Sequence, residues 1–302
     1  VRLPFSKKGS SDQGQEQPQQ HQHSSSALDE QIAALTQAIR LNPQDRESYL
    51  RRGSLYLQQG ALPEALADFS EAIRLDPNEA SSYRARALVY AYRGELPQAL
   101  TDYSEAIRLD PTEASAYSNR GDIYKRLGAL ARALADFNVA LRLNSASAVT
   151  LTNRGDIYFE QGDLQRALAD YSEAIRLDPG FAPAYTNRGE TRLRLGDRQG
   201  AWSDFTEAIR LRPGYARALF LRGQLASELQ DFQQALADFN EVIRCWPHYA
   251  PAYVHRGMVQ GLLGNLGAAL ADVEQAHRLR PDDPEIKRAL AMVREAMRRR
   301  QP

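Results

Sequence analysis

The sequence predicts an all-α solenoid built from antiparallel helix pairs, and three periodic features carry that prediction. Prolines fall at Pro43, Pro77, Pro111, Pro179, Pro213, Pro247 and Pro281, in steps of 34 or of 68 where Ser145 replaces the missing member. Alanines keep the same step from Ala65 through Ala99, Ala133, Ala167, Ala201 and Ala235 to Ala269. Glycines keep it at Gly53, Gly121, Gly155, Gly189, Gly223 and Gly257, with Ala87 in the remaining slot. A period held this long is the signature of a helical repeat array.

Residues 1–27 stand outside the period. The stretch "GSSDQGQEQPQQHQHSSS" has too little apolar surface to offset its ordering entropy, and the expectation is a disordered Gln/Ser-rich tail. His21 and His23 form a His-x-His without further ligands nearby, so no metal site is read there. Residues 28–45 carry "IAALTQAIRLNP", which matches the second helix of a unit whose first helix is missing.

Seven full units follow, at 46–79, 80–113, 114–147, 148–181, 182–215, 216–249 and 250–283. In each, the first helix starts after a turn such as "LDPNEA", where Asp76 is expected to cap, Pro77 to open the first turn and Glu79 to complete a capping box. Gly60 suits the left-handed residue that ends this helix. The second helix carries Ala65, Leu66, Phe69, Ala72 and Ile73 as an apolar stripe, with Arg74 near its negative dipole end. Residues 284–302 form the last element. Ile286, Leu290, Val293 and Met297 make the single apolar stripe of a capping helix with a basic end.

These residues resemble the tetratricopeptide repeat family, whose pattern appears here as Tyr49, Arg52, Gly53, Tyr56, Ala65, Phe69 and Pro77. The resemblance covers about nine-tenths of the chain and implies a right-handed superhelical solenoid. It also implies partners along the inner face of the leading helices. The chain departs from the pattern throughout, with Tyr or Leu in place of the opening Trp and Arg in place of Leu in every unit, and further in the later units. Tyr56, Tyr90, Tyr124 and Tyr158 give way to Arg192, Ala226 and Gln260 in later units, and Gln230 replaces the turn glycine of the sixth.

Two charged sets recur in all seven units, Arg52 to Arg256 on the leading helices and Asp68 to Asp272 on the following ones. Their uniform step marks them as an inter-helix pair that belongs to the fold. The asparagines behave differently. Asn119, Asn153 and Asn187 occupy consecutive units beside Asp122, Asp156 and Glu190, while the same slot elsewhere holds Arg51, Ala85, Leu221 and His255. An amide that both donates and accepts can grip a peptide backbone. Similar ladders line long arrays of this family, including those of O-GlcNAc transferases. The family's carboxylate clamp is not recognisable, since the groove offers Leu50 with Ser54, Arg84 with Leu88, and Ser118 with Asp122.

Toward the far end the groove turns apolar, with Phe220, Leu221, Val254, Met258 and Leu262 available for a partner or for packing against the terminal helix. Trp246 and His248 interrupt the usual turn sequence. Cys245 takes a slot that is Leu in other units and is expected to be a buried structural thiol.

The charge is balanced, 38 basic against 38 acidic residues, which gives the whole molecule no electrostatic pull toward nucleic acid. No catalytic motif, metal-ligand spacing or cofactor loop is present. The expectation is a non-catalytic, cofactor-free cytoplasmic scaffold that binds a protein or peptide partner. A self-assembling structural module and an RNA-binding array using the basic end are the alternatives, and monomer and homo-oligomer both stay open. No membrane span is read in the chain. The chain begins at Val1, so a fragment of a longer protein is among the expectations.

Overall fold

A computed structural model describes the backbone of residues 18–300 and the side chains of residues 27–299. Among the described residues there are sixteen helices and no strand. In chain order they are α1 (Pro18–Leu41), α2 (Arg46–Gln59), α3 (Leu62–Leu75), α4 (Ala80–Arg93), α5 (Leu96–Leu109), α6 (Ala114–Arg126), α7 (Leu130–Leu143) and α8 (Ala148–Gln161). They continue as α9 (Leu164–Leu177), α10 (Ala182–Arg194), α11 (Arg198–Leu211), α12 (Ala216–Glu228), α13 (Phe232–Cys245), α14 (Ala250–Leu262), α15 (Leu266–Leu279) and α16 (Pro284–Arg300). The fold is all-α, an array of paired helices. Two compact units divide within α8, between Ile157 and Tyr158.

The leading helix of a pair stops where the chain turns left-handed. Gly60 has φ 75°, and its N–H donates to the Leu57 carbonyl at 3.1 Å. Gln230 takes the same role in the sixth repeat at φ 62°, a conformation that costs a side-chain-bearing residue roughly 1–2 kcal/mol. Two residues later the partner helix begins, with proline in its first turn at Pro63 and Pro97, where a missing N–H costs nothing.

The start of each leading helix differs from the expected cap. Asp76 ends α3, and its carboxylate accepts from the Asn78 N–H at 3.1 Å inside the turn. Glu79 is the residue that caps α4, accepting from the Ser81 N–H at 3.3 Å, and Glu113 does the same for α6. Asp76 is extended ahead of Pro77, and the chain turns through Pro77 and Asn78, so the new helix starts three residues after the proline. The other difference lies at the chain start. α1 begins at Pro18, ten residues before the boundary read from composition. Glutamine and alanine are good helix formers, and a docked helix extends readily through such residues. Residues 1–17 and the His21 and His23 side chains lie outside the described residues.

In several pairs the core forms where a ring meets a glycine. Phe69 is buried against α2, and a Cβ on Gly53 would stand 2.8 Å from its ring. Phe137 opposite Gly121 and Phe205 opposite Gly189 repeat the arrangement. Each such ring contributes roughly 2–3 kcal/mol of apolar burial. Within the first compact unit the rings continue into Val89, Tyr103 and Ile123. In the second, Phe220, Phe239, Tyr249 and Val259 form one cluster, and α16 seals Val273 and Ala276 with Ile286 and Leu290.

Candidate functional site

The leading helices carry the polar side chains of interest, so their fixed contacts must be separated from their adaptable ones. The recurrent arginine is fixed. Arg52 clasps Asp68 with two nitrogens at 2.8 and 2.7 Å, and Arg86, Arg120, Arg188, Arg222 and Arg256 clasp Asp102, Asp136, Asp204, Asp238 and Asp272 in the same way. These aspartates are buried, so each bidentate pair neutralises a charge inside the helix interface. The pair is part of the fold, as its uniform spacing implied.

The asparagines of the ladder are already engaged. In the first unit, Lys125 on α6 donates its ammonium to the Asn153 carbonyl oxygen at 2.6 Å and to the Asp156 carboxylate at 3.2 Å. In the second, Arg217 on α12 donates to Asn187 at 2.6 Å and to Glu190 at 2.5 Å. Asn187 is itself buried. Asn119 meets Tyr103, whose phenol is pushed up by burial, with the Asn119 hydrogen bond opposing the shift. Asp122 is half-buried beside it. Each compact unit therefore holds an amide, a carboxylate and a cation gathered on leading helices.

Lys125 and Arg217 are absent from the sequence-based site. The signal was present but quiet. Across the seven units, the Lys125 slot otherwise holds Leu57, Ala91, Phe159, Leu193, Ser227 and Gly261, and the Arg217 slot holds Glu47, Ser81, Ser115, Val149, Pro183 and Pro251. A cation appears once in each.

The apolar set divides. Phe220 and Leu221 are buried, at 3% and 8% exposure, and belong to the core rather than to an accessible surface. Val254 packs against the α15–α16 cluster. Met258 and Leu262 remain exposed, at 56% and 67%. Position on the helix face predicted all five as one patch, yet Phe220 leans between the rings of Phe239, Tyr249 and His255 at centroid distances of 5.8, 5.4 and 5.1 Å. Burial there pushes the His255 imidazole below its ordinary value. Cys245 also departs from expectation. It is half-buried, with its sulfur 3.7 Å from Glu241 beside an exposed Trp246, because the turn that follows it leaves one side open.

Among the described residues, no group of three or more His, Cys, Asp or Glu side chains could hold a metal ion. No described helix is long and apolar enough to cross a membrane.

Known proteins give the array its context. A TPR repeat model matches residues 53–91, 88–128 and 155–196, and two tetratricopeptide repeat models match residues 186–250 and 114–147. No curated protein matches the sequence. Among solved structures, a chain of the APC/C hetero-tetramer Cut9-Hcn1 aligns with TM-score 0.70 and 15% identity over 89% of this chain, which spans 54% of that one. PilF of Pseudomonas aeruginosa aligns with TM-score 0.65 and 20% identity, covering 70% of this chain and 97% of its own. YrrB, described as a TPR protein with an unusual peptide-binding site, aligns with TM-score 0.50 and 26% identity over 62% of this chain and 96% of its own.

Proposed function

The chain belongs to the tetratricopeptide repeat family, and on that premise we propose that it is a non-catalytic interaction scaffold whose leading helices bind an extended peptide segment. Asn119, Asp122, Asn153 and Asp156 serve in the first compact unit, and Asn187 and Glu190 in the second. The observation that carries this reading is the recurrence of one constellation from different parts. Lys125 reaches Asn153 and Asp156 from the preceding leading helix, whereas Arg217 reaches Asn187 and Glu190 from the following one. The amide and carboxylate keep their repeat positions, and the cation that satisfies them comes from wherever one is available.

A peptide can take the cation's place. Its basic side chain pairs with the carboxylate, and its backbone uses the freed amide as donor and acceptor. The displaced Lys125 or Arg217 then turns toward an acidic or carbonyl group of the same segment. These ion pairs are largely buried, with side chains 14% and 28% exposed in Lys125–Asp156 and 28% and 31% in Arg217–Glu190, so the peptide's basic group must replace the charge that leaves. Binding is accordingly sensitive to salt. The peptide-binding site attributed to YrrB supports the same use of the fold.

The test is capture of partners from host lysate by the native chain and by an Asn119→Ala, Asn153→Ala, Asn187→Ala variant, with circular dichroism confirming that both are folded. Loss of specific partners by the variant is expected. Full retention by the variant would overturn the assignment to these asparagines.

A further inference from the structure

The amide–carboxylate pairs on the leading helices do not all meet a cation. Asn153 and Asp156 receive the Lys125 ammonium at 2.6 and 3.2 Å, and Asn187 and Glu190 receive Arg217. Asn119 and Asp122 hold the same two repeat positions on α6, yet among the described residues Asp122 makes no ion pair. The repeat register gives the reason. Lys125 reaches Asn153 from 28 residues back, and 28 residues before Asn119 stands Ala91. Arg217 reaches Asn187 from 30 residues ahead, and 30 residues after Asn119 stands Val149. Both routes by which the chain supplies its own cation end in an apolar residue at this one pair. We infer that Asn119 and Asp122 bind a lysine side chain of the peptide, in the manner that Asn153 and Asp156 hold Lys125. The inference rests on the peptide-binding reading above and names the residue that the α6 part of the site selects.

The surroundings of α6 suit that ligand. Tyr103 is buried and hydrogen-bonded by Asn119, in the slot that Phe137 fills one repeat later. The contact favours the ionised phenol, so the amide N–H donates and the amide carbonyl oxygen is left to accept from an ammonium. Tyr92, the neighbour of Ala91, is 55% exposed, and it stands with Asp122 close enough to act on the charge of the Tyr103 oxygen. The ends of α4 and α6 meet there, because Arg126 donates to the Ala91 carbonyl at 3.4 Å. A lysine thus finds two kinds of oxygen for its ammonium and an aromatic face for its aliphatic stem. The nearest guanidinium, Arg84, is turned elsewhere, donating to Ser115 at 2.9 Å and facing Glu113 at 3.8 Å.

The same internal comparison favours lysine over arginine. The Asn–Asp pair of α8 holds a lysine, whereas the pair with the longer glutamate on α10 holds an arginine. Asp122 is half-buried, so an uncharged side chain of equal length would cover its carboxylate without a counter-ion. Charge, rather than apolar area, is what the site discriminates.

The test titrates the full chain at low salt with the capped peptide Gly-Gly-Lys-Gly-Gly and with its arginine and norleucine analogues, followed by backbone amide NMR. The lysine peptide is expected to shift the signals of Asn119, Asp122 and Tyr92. The norleucine peptide, which keeps the stem without the charge, should leave them in place, and the arginine peptide should bind about threefold more weakly than lysine. Asp122→Asn should weaken lysine-peptide binding about tenfold, and Tyr92→Ala about threefold. Ala91→Lys supplies the cation from within, in the slot where the fold already accepts Lys125, and should also weaken binding about tenfold. Ala91→Met, of similar length without charge, should weaken it less, and circular dichroism confirms that each variant is folded. A lysine peptide that leaves Asn119 and Asp122 unshifted overturns the inference. Equal binding of the norleucine or arginine peptide does so too, as does undiminished binding by Asp122→Asn. Selectivity among these side chains is read independently of partner capture by the asparagine variant, so the peptide-binding reading and this one fail separately.

Discussion

The helix pairs of the first compact unit and those of the second hold the same arginine–aspartate clasp in different surroundings. Arg52, Arg86 and Arg120 each lie between two tyrosine rings, at 5.8–5.9 Å from Tyr49 and Tyr56, Tyr83 and Tyr90, and Tyr117 and Tyr124. Arg188 and Arg256 keep the first ring, Tyr185 and Tyr253, but the second position holds Arg192 and Gln260. In two of the units without that second tyrosine, the aspartate gains a donor instead. Asp204 takes Arg192 at 2.8 Å, and Asp238 takes Gln234 at 2.9 Å. The lesson is that neutralising the buried carboxylate is obligatory, while the ring beside the guanidinium is one of several ways to fill the space.

That contrast can be broken most directly at the carboxylate. Asp204→Ala leaves both Arg188 and Arg192 without their buried counter-ion and should cost about 3–5 kcal/mol, read as a lowered urea midpoint. Asp102→Ala strands a single guanidinium already flanked by rings and should cost less. Equal losses at the two sites would mean that the second donor on Asp204 contributes nothing.

Ring contacts give the next largest effect. A Cβ on Gly121 would lie 2.8 Å from the Phe137 ring, so Gly121→Ala should destabilise by about 1–3 kcal/mol. Gly257 faces the smaller Val273 at 3.1 Å, and Gly257→Ala should be close to neutral, since alanine's helix preference offsets the crowding. Thermal denaturation of both variants separates the ring-packed pairs from the valine-packed one.

A pH response should appear in the second unit, through His255. Burial between Phe220 and Phe239, with Gln224 at 3.1 Å, lowers its folded pKa below the ordinary value near 6.5. The unfolded chain therefore takes up the proton first as pH falls. The stabilisation from a neutral His255 is complete above about pH 6.5 and is lost as pH drops through the folded value. Urea midpoints at pH 7.5 and 5.5 should converge in His255→Leu, and an unchanged pH slope would show that other groups dominate.

The smallest effect is a gain. Gln230 stands at positive φ where Gly60, Gly94, Gly128, Gly162, Gly196 and Gly264 serve the other turns. Gln230→Gly should stabilise the sixth repeat by about 1 kcal/mol, measured by urea titration.

Several features were legible because they depend only on translation by one period. Gly60 and Gln230 ending helices, Phe69 facing Gly53, and the arginine–aspartate clasp all follow once each residue is placed in its 34-residue slot. The caps were misread for a local reason. Asp76 and Glu79 both suit an N-terminus, and only the turn through Pro77 and Asn78 decides that Glu79 does the capping. The candidate site was harder. Asn153 and Asn187 were placed on the right helices, but Lys125 and Arg217 reach them from 28 and 30 residues away along the chain. No spacing within one unit reveals such a partner.

By itself the sequence determined the period, the all-α class and the helices on which each charged residue stands, because hydrophobic spacing and turn chemistry act over a few residues. Only the tertiary structure decided which side chains are spent. Phe220 and Leu221 went into the core while Met258 and Leu262 stayed outside, and Asn153 and Asn187 acquired cations from neighbouring leading helices. Side-chain direction and the identity of the neighbour one repeat away settle burial and pairing, and neither is a property of a residue's place within its own repeat.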